Sequence, residues 1–230
     1  ATNIILIESN GPSVTYGRFD QLFYSFYKND LENGTASKEF MQELIECFFI
    51  KIDQLLKLRD TGNTIVASST KMGGTALDVG GVDKEGNDAT NDLSYMVLDA
   101  HAHTRIPNPW MAVRLHAGSP EEFKIKTMNV IRIGTGEPKV LNDEVYIPTA
   151  MAYGRTIEDA RDYVAIGCVE PEAPGKEYGW HDAAYFNMAK VFELAINDGR
   201  CVGCNSTCGR WEICGKIGGR LGLKTGSLAE

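Results

Sequence analysis

"AIGCVEPEAPGKEYGWHD" occupies residues 165–182 and sets a cysteine, Cys168, two places before a glutamate, Glu170. Ordinary cysteine chemistry runs through the thiolate, which is favoured by a histidinium, a lysine or a helix N-terminus. Here the nearest ionisable neighbour is itself acidic. In an extended segment residues i and i+2 point to the same side, so the carboxylate is expected to face the sulfur. A neighbouring negative charge disfavours a second anion. The pattern therefore suits a thiol that stays neutral beside a base better than it suits a thiolate nucleophile. "YVAIG" (163–167) reads as a buried strand, which puts Cys168 just past a strand's C-terminal end, where α/β barrels place their chemistry.

Short apolar strands and helices alternate on both sides of this stretch. "TIEDARD" (156–162) reads as a capped short helix, and "WHDAAYFNMAKVFELAINDG" (180–199) as a helix closed by Gly199. Upstream, 36–60 has apolar residues at helical spacing (Phe40, Leu44, Cys47, Phe48, Ile52, Leu55), with Ser37 as the N-cap and Cys47 as a small core residue. Helices are also expected over 92–105, over 119–134 behind a Ser119 cap and Pro120, and over 143–154. "IILIE" (4–8), "WMAVRLH" (110–116) and "KVLND" (139–143) read as strands. The glycine-rich 62–88 has neither GxxxxGK[ST] nor GxGxxG spacing, so turns and close backbone approach explain it better than a phosphate site. This order predicts an α/β fold with largely parallel strands. From residue 200 onward periodicity is lost and an irregular loop is expected.

The 230 residues suffice for one large domain or two small ones, and 43% hydrophobic residues is ordinary for a globular core. Thirty-one acidic residues against 23 basic ones give a net charge of -8, which argues against a nucleic-acid surface and an anionic membrane. No apolar run approaches a membrane span, and the opening residues lack a signal-peptide pattern. The six cysteines are therefore expected to be reduced, in the cytoplasm.

Other polar groupings compete with Cys168 and Glu170. A cysteine-protease pairing of Cys168 with His181, oriented by Asp182, meets the same electrostatic objection. Cys201, Cys204, Cys208 and Cys214 form C-x2-C-x3-C-x5-C, four thiols that zinc or an iron–sulfur cluster would accept, although the spacing follows no common pattern. A loop of reduced cysteines is the simpler reading, so no metal is expected. His101 and His103 stand two apart on a helix and do not share a face. Asp182, near a helix start, suits either a cap or a hydrogen bond to a hydroxylated substrate.

"GCVEP" followed by "GKEYGWHDAAYFNMAKVFELAINDG" resembles the glycyl radical enzymes of the pyruvate formate-lyase-like superfamily, most closely their glycerol and diol dehydratase branch. "YGRFDQLFYSFYKNDLENG" (16–34), "GGVDKEGNDATNDLSYMVLDA" (80–100), "VIRIGTGEPKVLNDE" (130–144), "TIEDARDYVAIGCVEP" (156–171) and "GLKTG" (222–226) agree with it, so the resemblance covers nearly the whole chain. It implies part of a ten-stranded α/β barrel with the catalytic cysteine on a loop inside. Cys168 would carry a transient thiyl radical that takes hydrogen from a small hydroxylated substrate, a reaction that needs no thiolate. Glu170 would be the base that promotes loss of water or another leaving group. Asp182 and Ser13 would bind substrate. No bound cofactor is implied. The radical would be stored on a glycine and installed by a radical S-adenosylmethionine activating enzyme, and the full-length protein would be a homodimer.

Three features qualify the resemblance. Pro12 stands where the diol branch has a histidine, and its side chain neither donates nor accepts, so one partner for the hydroxyls of glycerol or propane-1,2-diol is missing. "TKMGGTA" (70–76) stands where several relatives put a bulky aromatic, which implies a reshaped pocket. No "RVxGY"-like glycyl motif follows; "GKIGGRLG" (215–222) does not fit one. Residues 1–230 therefore read as a partial barrel domain without the N-terminal helical region or the C-terminal glycyl radical domain, inactive in isolation. Val169, where acyl-transferring members have a second cysteine, favours elimination. The alternatives are C–S, C–N or C–C cleavage in the same family, or a noncatalytic metal-binding remnant.

Overall fold

The computed structural model describes residues 14–54, 75–167, 169–177 and 188–196. The chain divides into two compact units, 1–179 and 180–230. In the first, the order is β1 (Val14–Arg18), α1 (Phe19–Glu32), α2 (Lys38–Asp53), β2 (Thr75–Gly80), α3 (Asp92–Thr104), β3 (Trp110–Leu115), α4 (Glu121–Ile131), β4 (Lys139–Asn142), α5 (Asp143–Ala152), α6 (Ile157–Arg161), β5 (Val164–Ile166) and β6 (Glu170–Glu172). Of the second unit, helix α7 (Met188–Ile196) is described. Strands β1 to β4 lie side by side in sequence order, each parallel to the next. Parallel neighbours need crossover connections, which helices provide. The expected α/β fold is present. The "IILIE" strand lies outside the described residues.

Side-chain alternation along β2 and β3 creates two layers. Leu77 and Val79 of β2, with Met111 and Val113 of β3, join a core that includes Ile45, Phe49, Val97, Leu98, Phe123 and Val130 from the helices. The intervening Asp78, Ala112 and Arg114 belong to the other face. There Ala112 and Leu141 pack against Tyr163 and Ala165. Helices thus cover one face of the sheet, and β5 with its approach covers the other. "YVAIG" is a buried strand as expected, but it is not a member of the parallel sheet. It pairs antiparallel with β6 as a short hairpin. A short apolar run has the same appearance in either setting, so its periodicity carries no information about the choice.

Tertiary packing decides several local features. Ser37 caps α2 by accepting from the Phe40 amide at 3.2 Å. Of the expected stripe of α2, Ile52 is buried and Phe48 packs half-buried on the core, with Ile45 and Phe49 buried beside them, whereas Phe40, Leu44 and Cys47 are exposed. The buried face is rotated from the expected one toward Ile45 and Phe49, which leaves Phe40, Leu44 and Cys47 at its exposed side. Cys47 is therefore not a core residue. Pro120, not Ser119, occupies the cap position of α4; the Ser119 hydroxyl instead accepts from the His116 amide at 3.0 Å. Within 62–88, residues Thr75–Gly80 form a fully buried central strand. The reading of close backbone approach holds at its end, where Gly80 and Gly81 have φ of 77° and 80°. A Cβ on Gly81 would lie 2.6 Å from Arg114 Nε and 2.9 Å from Asp143 Oδ2. Only glycine allows the backbone to pass so close to that ion pair.

Candidate active site

Arg114, in the middle of β3, is completely buried and satisfied. Its Nε and Nη2 donate to Asp143 Oδ1 and Oδ2 at 2.9 and 2.8 Å, a bidentate pair. Nη1 donates to the Tyr163 carbonyl at 2.9 Å, and Nη2 also reaches the Arg161 carbonyl at 2.9 Å. One guanidinium therefore ties together β3, the start of α5, the end of α6 and the entry to β5. The Tyr163 ring lies 3.8 Å from its central carbon, and the Tyr163 hydroxyl donates to Asp143 Oδ1 at 2.8 Å. Such an arrangement is strongly directional, because any unpaired member would be left as a charge in a dry interior.

Two more buried carboxyls flank this pair. Asp20 Oδ2 accepts from the Gly80 amide at 2.7 Å and from the Ser94 hydroxyl. Asp78 Oδ2 accepts from the Ala165 amide at 2.9 Å and so fastens β5 to the sheet. Arg18 closes the end of β2 by donating from Nη2 to the carbonyls of Gly80 and Val82, at 3.2 and 2.7 Å. Burial pushes the Asp78 carboxyl well above the usual carboxylate range, and the pull of Arg114 and the Ala165 amide does not reverse it. Burial raises Asp20 in the same direction.

A pH dependence follows from Asp78. Its folded-state pKa lies above the unfolded value near 3.8, so the neutral acid is the form the fold prefers. That contribution is complete below the unfolded value and is lost as pH rises through the folded one. Asn imitates the neutral acid, keeps an oxygen for Ala165 and has no proton to lose. Asp78→Asn in the full-length protein is expected to raise the urea midpoint at pH 7 and to leave it unchanged at pH 3.5. A lowered midpoint at pH 7 would show that the ionised carboxylate is the one the site holds.

Glu170 belongs to the β5–β6 hairpin. Gly167, at φ 59°, begins its turn, and Glu170 opens β6 opposite Ile166. Cys168 lies outside the described residues, so the expected side-by-side placement of its sulfur and the Glu170 carboxylate is not described. The Glu170 carboxylate folds back on the turn: Oε2 accepts from the Val169 amide at 2.9 Å. The Val169 carbonyl accepts from the Tyr146 hydroxyl at 3.3 Å. Glu170 is half-buried. Tyr146 stacks on Tyr163 with ring centroids 5.2 Å apart and planes 9° apart. Burial, then the negative charge of Glu170, raises the Tyr146 phenol, which keeps it a donor.

Of the site residues named from sequence, the described structure contains Glu170. Cys168, Asp182, Ser13 and the cysteines Cys201, Cys204, Cys208 and Cys214 lie outside the described residues, as do Pro12, His181 and most of "TKMGGTA". His101 is fully buried with Nε2 2.8 Å from Thr135 Oγ1, while the exposed ring of His103 lies 2.7 Å from Glu46. The two do not converge. Among the described residues no group of three or more His, Cys, Asp or Glu forms a metal cluster, and no helix is long and apolar enough to cross a membrane. The buried set Arg18, Asp20, Asp78, Arg114, Asp143 and Tyr163 is absent from the residues named from sequence. Its signal was a charge inside an apolar strand run, as in "TALDVG" and "WMAVRL", where full burial demands a partner.

Comparison with known proteins decides the family. The family model described as pyruvate formate lyase-like matches residues 1–209. The chain belongs to the pyruvate formate lyase-like family. It is 48% identical over 228 residues to (2S)-3-sulfopropanediol dehydratase of Klebsiella oxytoca, covering 99% of this chain and 26% of that protein. The glycerol-bound structure of the B12-independent glycerol dehydratase from Clostridium butyricum superposes with a TM-score of 0.77 at 40% identity, covering 91% of this chain and 27% of that one. A structure concerned with 1,2-propanediol dehydration in Roseburia inulinivorans gives a TM-score of 0.76 at 41% identity, with 82% and 24% covered. The chain thus spans about a quarter of the length of these pyruvate formate lyase-like relatives.

Proposed function

We propose that the full-length protein is a glycyl radical dehydratase acting on a 1,2-diol substituted at its third carbon. One observation carries the reading. The 48% identity to a sulfopropanediol dehydratase runs over 228 residues, an alignment that must take in the Cys168–Glu170 segment. Pro12 supports a substituted diol over glycerol, since it removes one side-chain partner for a hydroxyl. In this reading residues 1–230 are part of the barrel domain, and the helical region and the glycine that stores the radical lie elsewhere in the protein. The radical S-adenosylmethionine activating enzyme and a second copy of the protein are the partners it implies.

The chemistry balances with the residues named. The Cys168 sulfur radical takes a hydrogen atom from the carbon bearing one hydroxyl, giving S–H and a carbon radical. Glu170 takes that hydroxyl's proton, and the neighbouring C–O bond breaks. The departing hydroxide receives the proton and leaves as water. The carbonyl-bearing radical then recovers a hydrogen atom from Cys168, so the product is a carbonyl compound with no net oxidation. Asp182 and Ser13 hold the substrate hydroxyls.

The test uses full-length protein, anaerobically activated with its S-adenosylmethionine-dependent activase. A glycyl doublet by electron paramagnetic resonance is expected, together with aldehyde formation from 3-sulfopropanediol that exceeds that from glycerol. A radical-bearing protein that dehydrates no diol, but releases sulfite from a hydroxyalkyl sulfonate, would move the assignment to C–S cleavage.

A further inference from the structure

Val169 is unusual in where its backbone groups go. Its N–H donates to the side chain of Glu170 at 2.9 Å, and its carbonyl accepts from the side chain of Tyr146 at 3.3 Å. The two ladder pairs nearest the turn are Ile166 with Glu170 and Ala165 with Pro171, so Val169 stands outside the strand pairing. The turn is therefore held by side chains. One of them belongs to the proposed base, and the other comes from a different element, α5.

We infer that Tyr146 is a positioning residue, whose hydroxyl fixes the Val169 carbonyl and through it the backbone that presents Glu170. The inference rests on the dehydratase reading for its effect on turnover, but its structural half stands without it. Position is transmitted through a rigid stack. Tyr146 lies nearly parallel to Tyr163, at 9° and 5.2 Å. Tyr163 cannot swing, because it is fully buried, its hydroxyl is bonded to Asp143 at 2.8 Å and its ring lies under Arg114 at 3.8 Å. Arg114 also holds the carbonyl of Tyr163 at 2.9 Å, at the entry to β5. The same buried guanidinium thus sets both ends of the hairpin: the entry directly, and the turn through the two stacked rings. A hydroxyl–carbonyl distance of 3.3 Å is at the long end for such a bond. A bond of that length holds a turn only if the donor ring is itself immobile, which the stack ensures. Burial and the nearby Glu170 carboxylate keep the phenol protonated, and hence a donor.

Tyr146→Phe retains the ring and its stacking and removes only the hydroxyl. In the full-length protein, amide hydrogen exchange of the peptide covering 164–172 is expected to quicken about tenfold, while peptides of β3 exchange as in the parent. This measurement needs no activity. In activated enzyme, the glycyl spin count and melting midpoint should match the parent. With 3-sulfopropanediol, kcat should fall about tenfold and KM should change less than threefold. Unchanged exchange across 164–172, or kcat within twofold of the parent, overturns the inference. So does a rise in KM equal to the loss in kcat/KM, which would make Tyr146 a substrate contact, or a midpoint that falls with activity, which would make it merely structural. If the parent enzyme itself dehydrates no diol, the dehydratase reading fails, and the exchange result still decides the positioning claim.

Discussion

Cys168→Ser in the full-length, activated protein is expected to abolish turnover and to leave both folding and the glycyl radical intact. The serine O–H bond is much harder to convert to a radical than the cysteine S–H bond, so hydrogen abstraction from substrate stops. The substitution is nearly isosteric and changes no charge. Radical storage is separate from radical use in the proposed scheme, so the doublet should appear with parental intensity while no aldehyde forms. A thiolate nucleophile would also be disabled by this change. The discriminating measurement is therefore solvent deuterium. Substrate recovered from parent enzyme in D2O should carry deuterium at the carbon that loses hydrogen, and substrate recovered from the serine variant should carry none. Residual dehydration by the variant would remove Cys168 from the radical path.

How much of this was legible beforehand depends on what kind of signal each feature leaves. Helix α3 is almost fully written in its sequence: Asn91 caps it, Ser94 completes the capping box and Arg105 ends it in a left-handed conformation. Strand β3 was equally clear, since "WMAVRL" follows proline and is uniformly apolar except for one arginine. That exception was the lost information. Arg114 and Asp78 each stand where an apolar residue would satisfy the strand pattern, and neither has a sequence neighbour to pair with. Their partners are Asp143 and the Ala165 amide, residues that only the tertiary fold brings near. The pairing of β5 leaves no sequence signal for a related reason. Val164, Ala165 and Ile166 are all buried, as a central parallel strand would be, yet the burial comes from lying on the sheet. Glu170 stands out in the sequence by its spacing to Cys168, whereas Tyr146 reads as one more aromatic in a helix until its hydroxyl is seen against Val169.

Glu170→Gln separates the proton step from the radical step. The turn should survive the change, because a glutamine oxygen can still accept from the Val169 amide that now bonds to Oε2 at 2.9 Å. What disappears is the ability to take the substrate hydroxyl proton. Positioned general bases contribute about 10²–10⁴-fold to rate, and kcat is expected to fall within that range while KM stays close to the parent value. Hydrogen abstraction precedes proton transfer in the proposed sequence, so the glutamine variant should still exchange solvent deuterium into substrate although it makes almost no aldehyde. This is the opposite of the serine variant at 168, in which exchange and product vanish together. A glutamine variant that loses less than tenfold in kcat shows that the proton goes elsewhere. One that loses exchange as well as product shows that Glu170 acts on the thiol or on the turn, not on the substrate hydroxyl.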